Sequence, residues 1–378
     1  MDGKSVLGRL GWSRAAVVLI LSLVFFSCKP SEPVRIGFLG GTSGRVADLG
    51  IAGRDGAQLA VEICNQSGGI TGRKVQLVIK NDEQTPEIAE RGVRELISEG
   101  VLAIVGPMTS AMAVTVVPIV NKARILLVSP TATTEELSGR NDFFFRVTST
   151  TGVFASRNAL YQIKAKRMRR VVAVYDLSNK SFTENWLKNF RHAFTEGGGE
   201  IVKTLTFKSG SDTKYLEIAR ELLAIRSDGV LIIANSMDSA LLCQQIRKLD
   251  IHIPITLSDW GATERLLELG GKAVEGLTVV QTFDRNSTAP KYQEFRQNYI
   301  ERFNREPGFA GVYAFDAANV VIEALKKRKD GQNLKETVLA LRKFEGLQSP
   351  FSFNDFGDVR RPHVSISIVR DGQFVVME

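Results

Sequence analysis

Short apolar runs alternate with longer stretches of helical period along most of this chain. Residues 34–39 form an apolar run that ends in Gly40-Gly41-Thr42-Ser43-Gly44. Apolar positions Ala57, Leu59, Ala60, Ile63 and Cys64 then follow a helical spacing within 52–66, and Gly68-Gly69 closes that segment. The pattern predicts strands at 75–80, 102–105 and 125–129, with helices at 86–99 and 111–122 between them. After an extended stretch at 143–147 the rhythm restarts. Strands are predicted at 171–175, 200–207, 229–234, 255–258 and 277–281, alternating with helices at 183–196, 215–225, 239–249 and 264–269. Two long helical stretches, 290–305 and 313–329, follow. Near-continuous apolar strands separated by helices indicate parallel sheets covered on both faces. The tail differs: short strands at 351–353, 365–369 and 373–376 are punctuated by acid-glycine turns, which signal antiparallel hairpins.

Charge changes the picture most at the start of the chain. Lys4, Arg9 and Arg14 precede the apolar run 15–26, and Ser27-Cys28 follows it. A basic segment, a short apolar core and a small residue before the cut describe a secretory signal peptide at 1–27. The apolar run is short for a membrane span. Cys28 stands where a lipoprotein peptidase would leave a new N-terminus, and Phe25-Phe26-Ser27-Cys28 resembles a lipobox, with Phe25 where Leu is usual. The expected anchor is therefore lipid on Cys28, with 28–33 as its tether. The net charge is +8, and removing three bases and one acid with the leader leaves about +6. The one dense basic cluster, at 166–170, has no second basic or aromatic element beside it, so a solvated loop is expected and not a nucleic-acid surface. Cys64 and Cys243 lack metal or disulfide spacing and read as small buried apolar residues.

Three segments resemble the opening of the periplasmic leucine/isoleucine/valine-binding protein family: Gly40-Gly41-Thr42-Ser43-Gly44, Gly56-Ala57-Gln58-Leu59-Ala60-Val61-Glu62, and Asn65-Gln66-Ser67-Gly68-Gly69-Ile70-Thr71-Gly72-Arg73. Val105-Gly106-Pro107-Met108-Thr109-Ser110 and Leu127-Val128-Ser129-Pro130-Thr131-Ala132-Thr133 resemble its two first-lobe ligand loops. The resemblance implies an α/β chain of two Rossmann-like lobes with mostly parallel sheets and a three-stranded hinge, the type I periplasmic binding fold. It implies crossings near 148–151, 282–286 and 344–350. Lobe one would then hold 34–148 plus 285–345, and lobe two 149–283 plus 350–378.

The same resemblance nominates the ligand residues. Ser110 and Thr133 fall on carboxylate-binding positions, with Thr131 alongside and Leu49 lining the pocket. Helix N-terminal amides and hydroxyls suit an anion, although Ser110 and Thr133 are equally placed to cap helices. Phe182 falls where the family commonly has Tyr, and a core role fits it as well. Asn235-Ser236 replaces an aromatic pair. Asp259-Trp260-Gly261 falls where the branched-chain receptors hold the ligand ammonium with Glu. Asp259 is one residue early for that role and is also placed to cap the next helix, while Trp260 suits an apolar or cation-π wall.

His192, His252 and His363 are the only histidines, and none shares a motif with a nucleophile. No nucleophile-elbow, zinc-protease, phosphate-loop or dinucleotide motif occurs, and Asp82 and Glu83 read as solvated loop acids. The expectation is a non-enzyme without metal or cofactor: an exported, lipid-anchored solute receptor of an ABC importer, periplasmic or at the cell surface. It would bind an amino acid or a similar small carboxylate or amide, dock on a membrane permease, and act as a monomer. The competing expectation is a sensor that reports the same ligand to a signalling partner. No span or signalling domain follows in the sequence, which favours the receptor.

Overall fold

Apolar residues occupy both faces of the first strand, β1 (Val34–Gly40). Ile36 and Phe38 join one apolar cluster and Leu39 the opposite one, so helices must cover the sheet on two sides. In the computed structural model, which describes residues 32–360 and 364–377, that is what forms. The expected signal segment at 1–27 and Cys28 lie outside the described residues. Helix α1 (Ala47–Gln66) leads to β2 (Val75–Asn81), α2 (Pro86–Ser98) to β3 (Ala103–Val105), and α3 (Ser110–Ala123) to β4 (Leu126–Ser129) and then β5 (Phe144–Arg146). The five strands are parallel in the order β2-β1-β3-β4-β5. The order reverses between β1 and β3, which leaves a crevice at their carboxyl ends.

The chain then enters the second sheet through a helix with no counterpart in the apolar pattern, α4 (Thr151–Lys164). Its core face carries Asn158 and Gln162, both fully buried, and these two residues interrupt the helical period. The sheet supplies partners for their amide groups, although Gln162 Oε1 stays unpartnered. Gln162 Nε2 donates to Asn158 Oδ1, Thr256 Oγ1 and Thr278 Oγ1 at 2.9, 3.0 and 3.1 Å. Asn158 Nδ2 donates to Leu257 O at 3.0 Å. Next come β6 (Arg170–Asp176), α5 (Lys180–Glu196), β7 (Glu200–Phe207), α6 (Tyr215–Leu223) and β8 (Gly229–Ile233). They are followed by α7 (Ser236–Leu249), β9 (Ile255–Leu257), α8 (Glu264–Gly270) and β10 (Thr278–Gln281). Val171 and Ala173 belong to one apolar cluster and Val172 and Val174 to another, again a sheet buried on both faces.

Helices α9 (Pro290–Phe303) and α10 (Phe309–Lys327) return to the first lobe, where α10 packs along α1. The approach is close: a Cβ on Gly56 would stand 2.0 Å from Gly311 O. A further unanticipated helix, α11 (Leu334–Leu341), starts in a capping box between Asn333 and Glu336. The antiparallel strands β11 (Lys343–Glu345), β12 (Pro350–Phe353) and β13 (Val359–Arg360) follow. This corrects the expected third crossing at 344–350 and the placement of 350–360 in lobe two. Phe353 packs edge-on against Phe145 with centroids 5.3 Å apart. Asp358 accepts from Arg146 Nε at 2.9 Å, so this small sheet stays on the first lobe. Only β14 (Ser365–Arg370) and β15 (Gln373–Val376) reach the second sheet, antiparallel to β10 and to each other. Its order is β15-β14-β10-β9-β8-β6-β7. Cys64 and Cys243 are free and buried. Within the cluster at 166–170, Met168 is buried while Lys166, Arg167, Arg169 and Arg170 are exposed.

Candidate functional site

Residues that follow strand carboxyl ends in both sheets meet in a gap between the lobes. Two small adjoining cavities lie within it. The first is lined by Leu49, Met108, Thr109, Ser110 and Thr131 from lobe one and by Asn179, Phe182, Asp259 and Trp260 from lobe two, with Phe309. The second adds Thr133, Thr148, Phe154, Gln281, Thr282 and Tyr313, and shares Thr131, Asp259 and Phe309 with the first. All seven ligand residues nominated from sequence therefore lie together. Nine other lining residues were not nominated: Met108, Thr109, Thr148, Phe154, Asn179, Gln281, Thr282, Phe309 and Tyr313. Phe309 escaped notice because α10 starts four residues before the apolar pattern suggests.

The two first-lobe loops are tied to each other. Gly106, at φ +116°, leaves no space for a side chain, because a Cβ would meet Leu39 O at 2.1 Å. The chain beyond it carries Thr109 and Ser110 to the start of α3. Ser110 does not cap that helix: the cap position is Thr109, with no side-chain bond. Ser110 Oγ instead accepts from Thr133 N and Thr134 N, both at 3.2 Å. Accepting both leaves the hydroxyl proton to donate toward the cavity. Nor does Thr133 cap the next turn; Thr134 does, accepting from Glu136 N. Thr133 Oγ1 accepts from Thr151 Oγ1 at 3.0 Å, and Thr131 Oγ1 donates to Met108 O.

Lobe two supplies aromatic walls and one acid. Phe182 and Trp260 meet edge to face with centroids 5.6 Å apart. Asp259 lies in a short 3₁₀ turn, and the cap position of α8 is Thr263, so Asp259 does not cap that helix. Its Oδ1 accepts from Trp186 Nε1 at 2.9 Å. Burial outweighs that bond and pushes its carboxyl up to about 7, because a charge removed from water without a counter-ion is costly. Among the described residues, no Lys, Arg or His lines either cavity.

Asn235 and Ser236 fall outside the cavities. Asn235 Oδ1 caps α7 by accepting from Asp238 N at 2.9 Å. Asp82, expected in solvent, is fully buried with Oδ2 unpartnered. Its Oδ1 accepts from Gln84 Nε2 at 3.2 Å, and Gln84 Oε1 accepts in turn from Thr109 Oγ1 at 3.0 Å, so Asp82 supports the ligand loop from behind. Among the described residues no cluster of metal-ligating side chains occurs, and no helix is long and apolar enough to cross a membrane.

Comparisons with known proteins agree with this architecture. The sequence model of a family described as periplasmic binding protein matches residues 33–370. A Leu/Ile/Val-binding protein homolog of Brucella melitensis is 22% identical, over 96% of this chain and 98% of its own length. Two solved structures share the fold. A branched-chain amino acid transporter substrate binding protein of Streptococcus pneumoniae, in complex with isoleucine, superposes with a TM-score of 0.83 at 24% identity, covering 92% of this chain and 99% of its own. An ABC transporter solute binding protein of R. palustris, in complex with benzoate, gives 0.81 at 21% identity, covering 91% and 95%.

Proposed function

Because this chain belongs to the periplasmic binding protein family, we propose that it is an extracytoplasmic receptor of an ABC importer that closes its lobes on a small zwitterionic amino acid. The observation that carries this reading is the pairing of chemistries across the gap. Hydroxyls of lobe one at Ser110, Thr131 and Thr133, with Ser110 opening α3, share the gap with a lone carboxyl of lobe two, Asp259. A ligand carboxylate suits the first group. A ligand ammonium supplies the counter-charge that the buried Asp259 lacks. Phe182, Trp260, Phe309 and Leu49 then bound an apolar side chain, as expected for leucine or isoleucine, the ligand type named for the two branched-chain relatives.

A second reading rests on the same aromatic walls. With Asp259 protonated, the cavity is neutral and suits an aromatic acid, the ligand type bound by the R. palustris neighbour. Either way the relatives are solute-binding proteins and no turnover is proposed. Lipidation at Cys28 would hold the receptor at the membrane beside its permease, and one chain suffices to form the site, so a monomer is proposed. Isothermal calorimetry with L-leucine, L-isoleucine, L-alanine and benzoate tests the proposal. Saturable binding of an aliphatic amino acid at micromolar or tighter concentration is expected. Absence of heat with every amino acid, alongside binding of benzoate, would exchange the first reading for the second.

A further inference from the structure

Arg45 lies in the turn after β1, and its hydrogen bonds run to the other lobe. Its Nε donates to Ser209 Oγ at 2.9 Å and to Asp238 Oδ1 at 3.1 Å. Its Nη2 donates to the Tyr215 hydroxyl at 2.6 Å and again to Asp238 Oδ1. Asp238 is a fully buried acid in the first turn of α7, and within its own lobe it takes only neutral donors, Tyr215 and Asn235 Nδ2, the latter at 2.6 Å. Three residues beyond Arg45 the sign is reversed. Asp48 Oδ2 accepts from Ser236 Oγ at 2.7 Å and from Thr263 Oγ1 at 2.6 Å, both on lobe two. Ser236 is the first residue of α7, so the Asp48 carboxylate also sits by the positive end of that helix.

One short segment of lobe one thus presents a cation and an anion to the same helix start of lobe two. None of Arg45, Asp238, Ser236 or Ser209 lines the inner cavities. We propose that Arg45 and Asp48 form a clasp that draws the lobes shut from outside the ligand site and populates the closed form before ligand arrives. Opening strips Arg45 of its lobe-two partners and leaves Asp238 with neutral donors alone. Hydrogen bonds to charged groups carry more than neutral ones, so losing the cation lowers the closed-to-open ratio by roughly tenfold or more. The clasp needs only the two-lobe fold; its consequence for affinity rests on the solute-binding reading, because a ligand binds more weakly when the competent form is rarer.

Single-molecule energy transfer tests it on the full-length chain without ligand, with dyes on cysteines introduced at the exposed positions Glu87 of lobe one and Lys214 of lobe two. The wild type is expected to show a closed subpopulation that shrinks as salt rises from about 0.05 M to about 1 M, since the pair is partly exposed and therefore screened. Arg45→Ala should cut that subpopulation by roughly tenfold or more and remove most of its salt response, with Arg45→Lys intermediate. The double variant Ser236→Ala/Thr263→Val, which removes the partners of Asp48 from the opposite lobe, should shift it the same way and serves if Arg45→Ala folds poorly. A wild type with no closed molecules, or variants that keep the wild-type closed fraction, would overturn the clasp. Salt-sensitive closure in a protein that binds none of the tested solutes would instead sink the transport reading and leave the clasp standing.

Discussion

Replacing Asp259 with Asn removes a carboxyl that the closed cleft holds without a cation. Its pKa stands at about 7 in the folded protein, raised by burial, and returns to about 3.9 in the unfolded chain. The folded state therefore holds the proton more tightly between about pH 4 and pH 7, and this group's contribution to stability falls as pH rises through that window. Three pKa units at about 1.4 kcal/mol each give a ceiling of about 4 kcal/mol. Opening of the cleft rehydrates the carboxyl, so about 2 kcal/mol is expected from the mixture of open and closed molecules. Asn keeps an acceptor for Trp186 Nε1, so packing is conserved. Urea unfolding of both proteins at about pH 4 and pH 8 reads the effect through the midpoint at constant slope. The variant should be the more stable protein at the higher pH and close to wild type at the lower one, while losing affinity for amino acids. A stability difference that is the same at both pH values would show that Asp259 is not a buried uncompensated acid, and the argument for a ligand ammonium would go with it.

Four further outcomes follow from the geometry. Ser110→Ala should weaken ligand binding by about tenfold or more by calorimetry, through loss of a charge-assisted hydrogen bond; unchanged affinity would remove Ser110 from the site. Amino-acid affinity should rise as pH increases through about 7, whereas benzoate affinity should fall, because only the first ligand needs Asp259 ionised. Asp358→Ala leaves the fully buried Arg146 without its carboxylate partner, and denaturant unfolding should register a loss of about 3 kcal/mol. Gly56→Ala drives a methyl into Gly311 O, so the α1–α10 contact must open and the thermal midpoint should drop, by an amount matching about 2 kcal/mol.

What could be read from the sequence was the part where one face of each element is apolar. The strands of both sheets, and the helices between them, follow from that periodicity, and the two first-lobe loops could be placed by resemblance. α4 was hidden because its buried face spends two positions on Asn158 and Gln162, whose NH2 groups donate to Leu257, Thr256 and Thr278, about a hundred residues away. α11 carries its signal in the Asn333–Glu336 capping box, a local cue that apolar counting passes over. The start of α1, at Ala47 and not at 52, was obscured by Gly50, which packs closely on Gly41 and breaks the pattern; Asp48, in the first turn, went unnoticed for that reason. The hydroxyls of Ser110 and Thr133 could be assigned to the site but not their bonds. Capping and cross-loop bonding demand the same residue types, and only the fold decides between them.

The route of the chain through the two sheets also bears on how the protein is made. The face of α1 in the first lobe is covered by α10, from residues 309–327. The edge of the second sheet is completed by β14 and β15, from residues 365–376. Neither lobe can be finished from a contiguous stretch of chain, so contacts of long sequence separation dominate both, and such topologies fold slowly. A chain emerging from its N-terminal end leaves the α1 face bare until α10 is delivered and the β10 edge unpaired until β14 has appeared. Completion of both lobes is thereby deferred until these distant segments have been delivered.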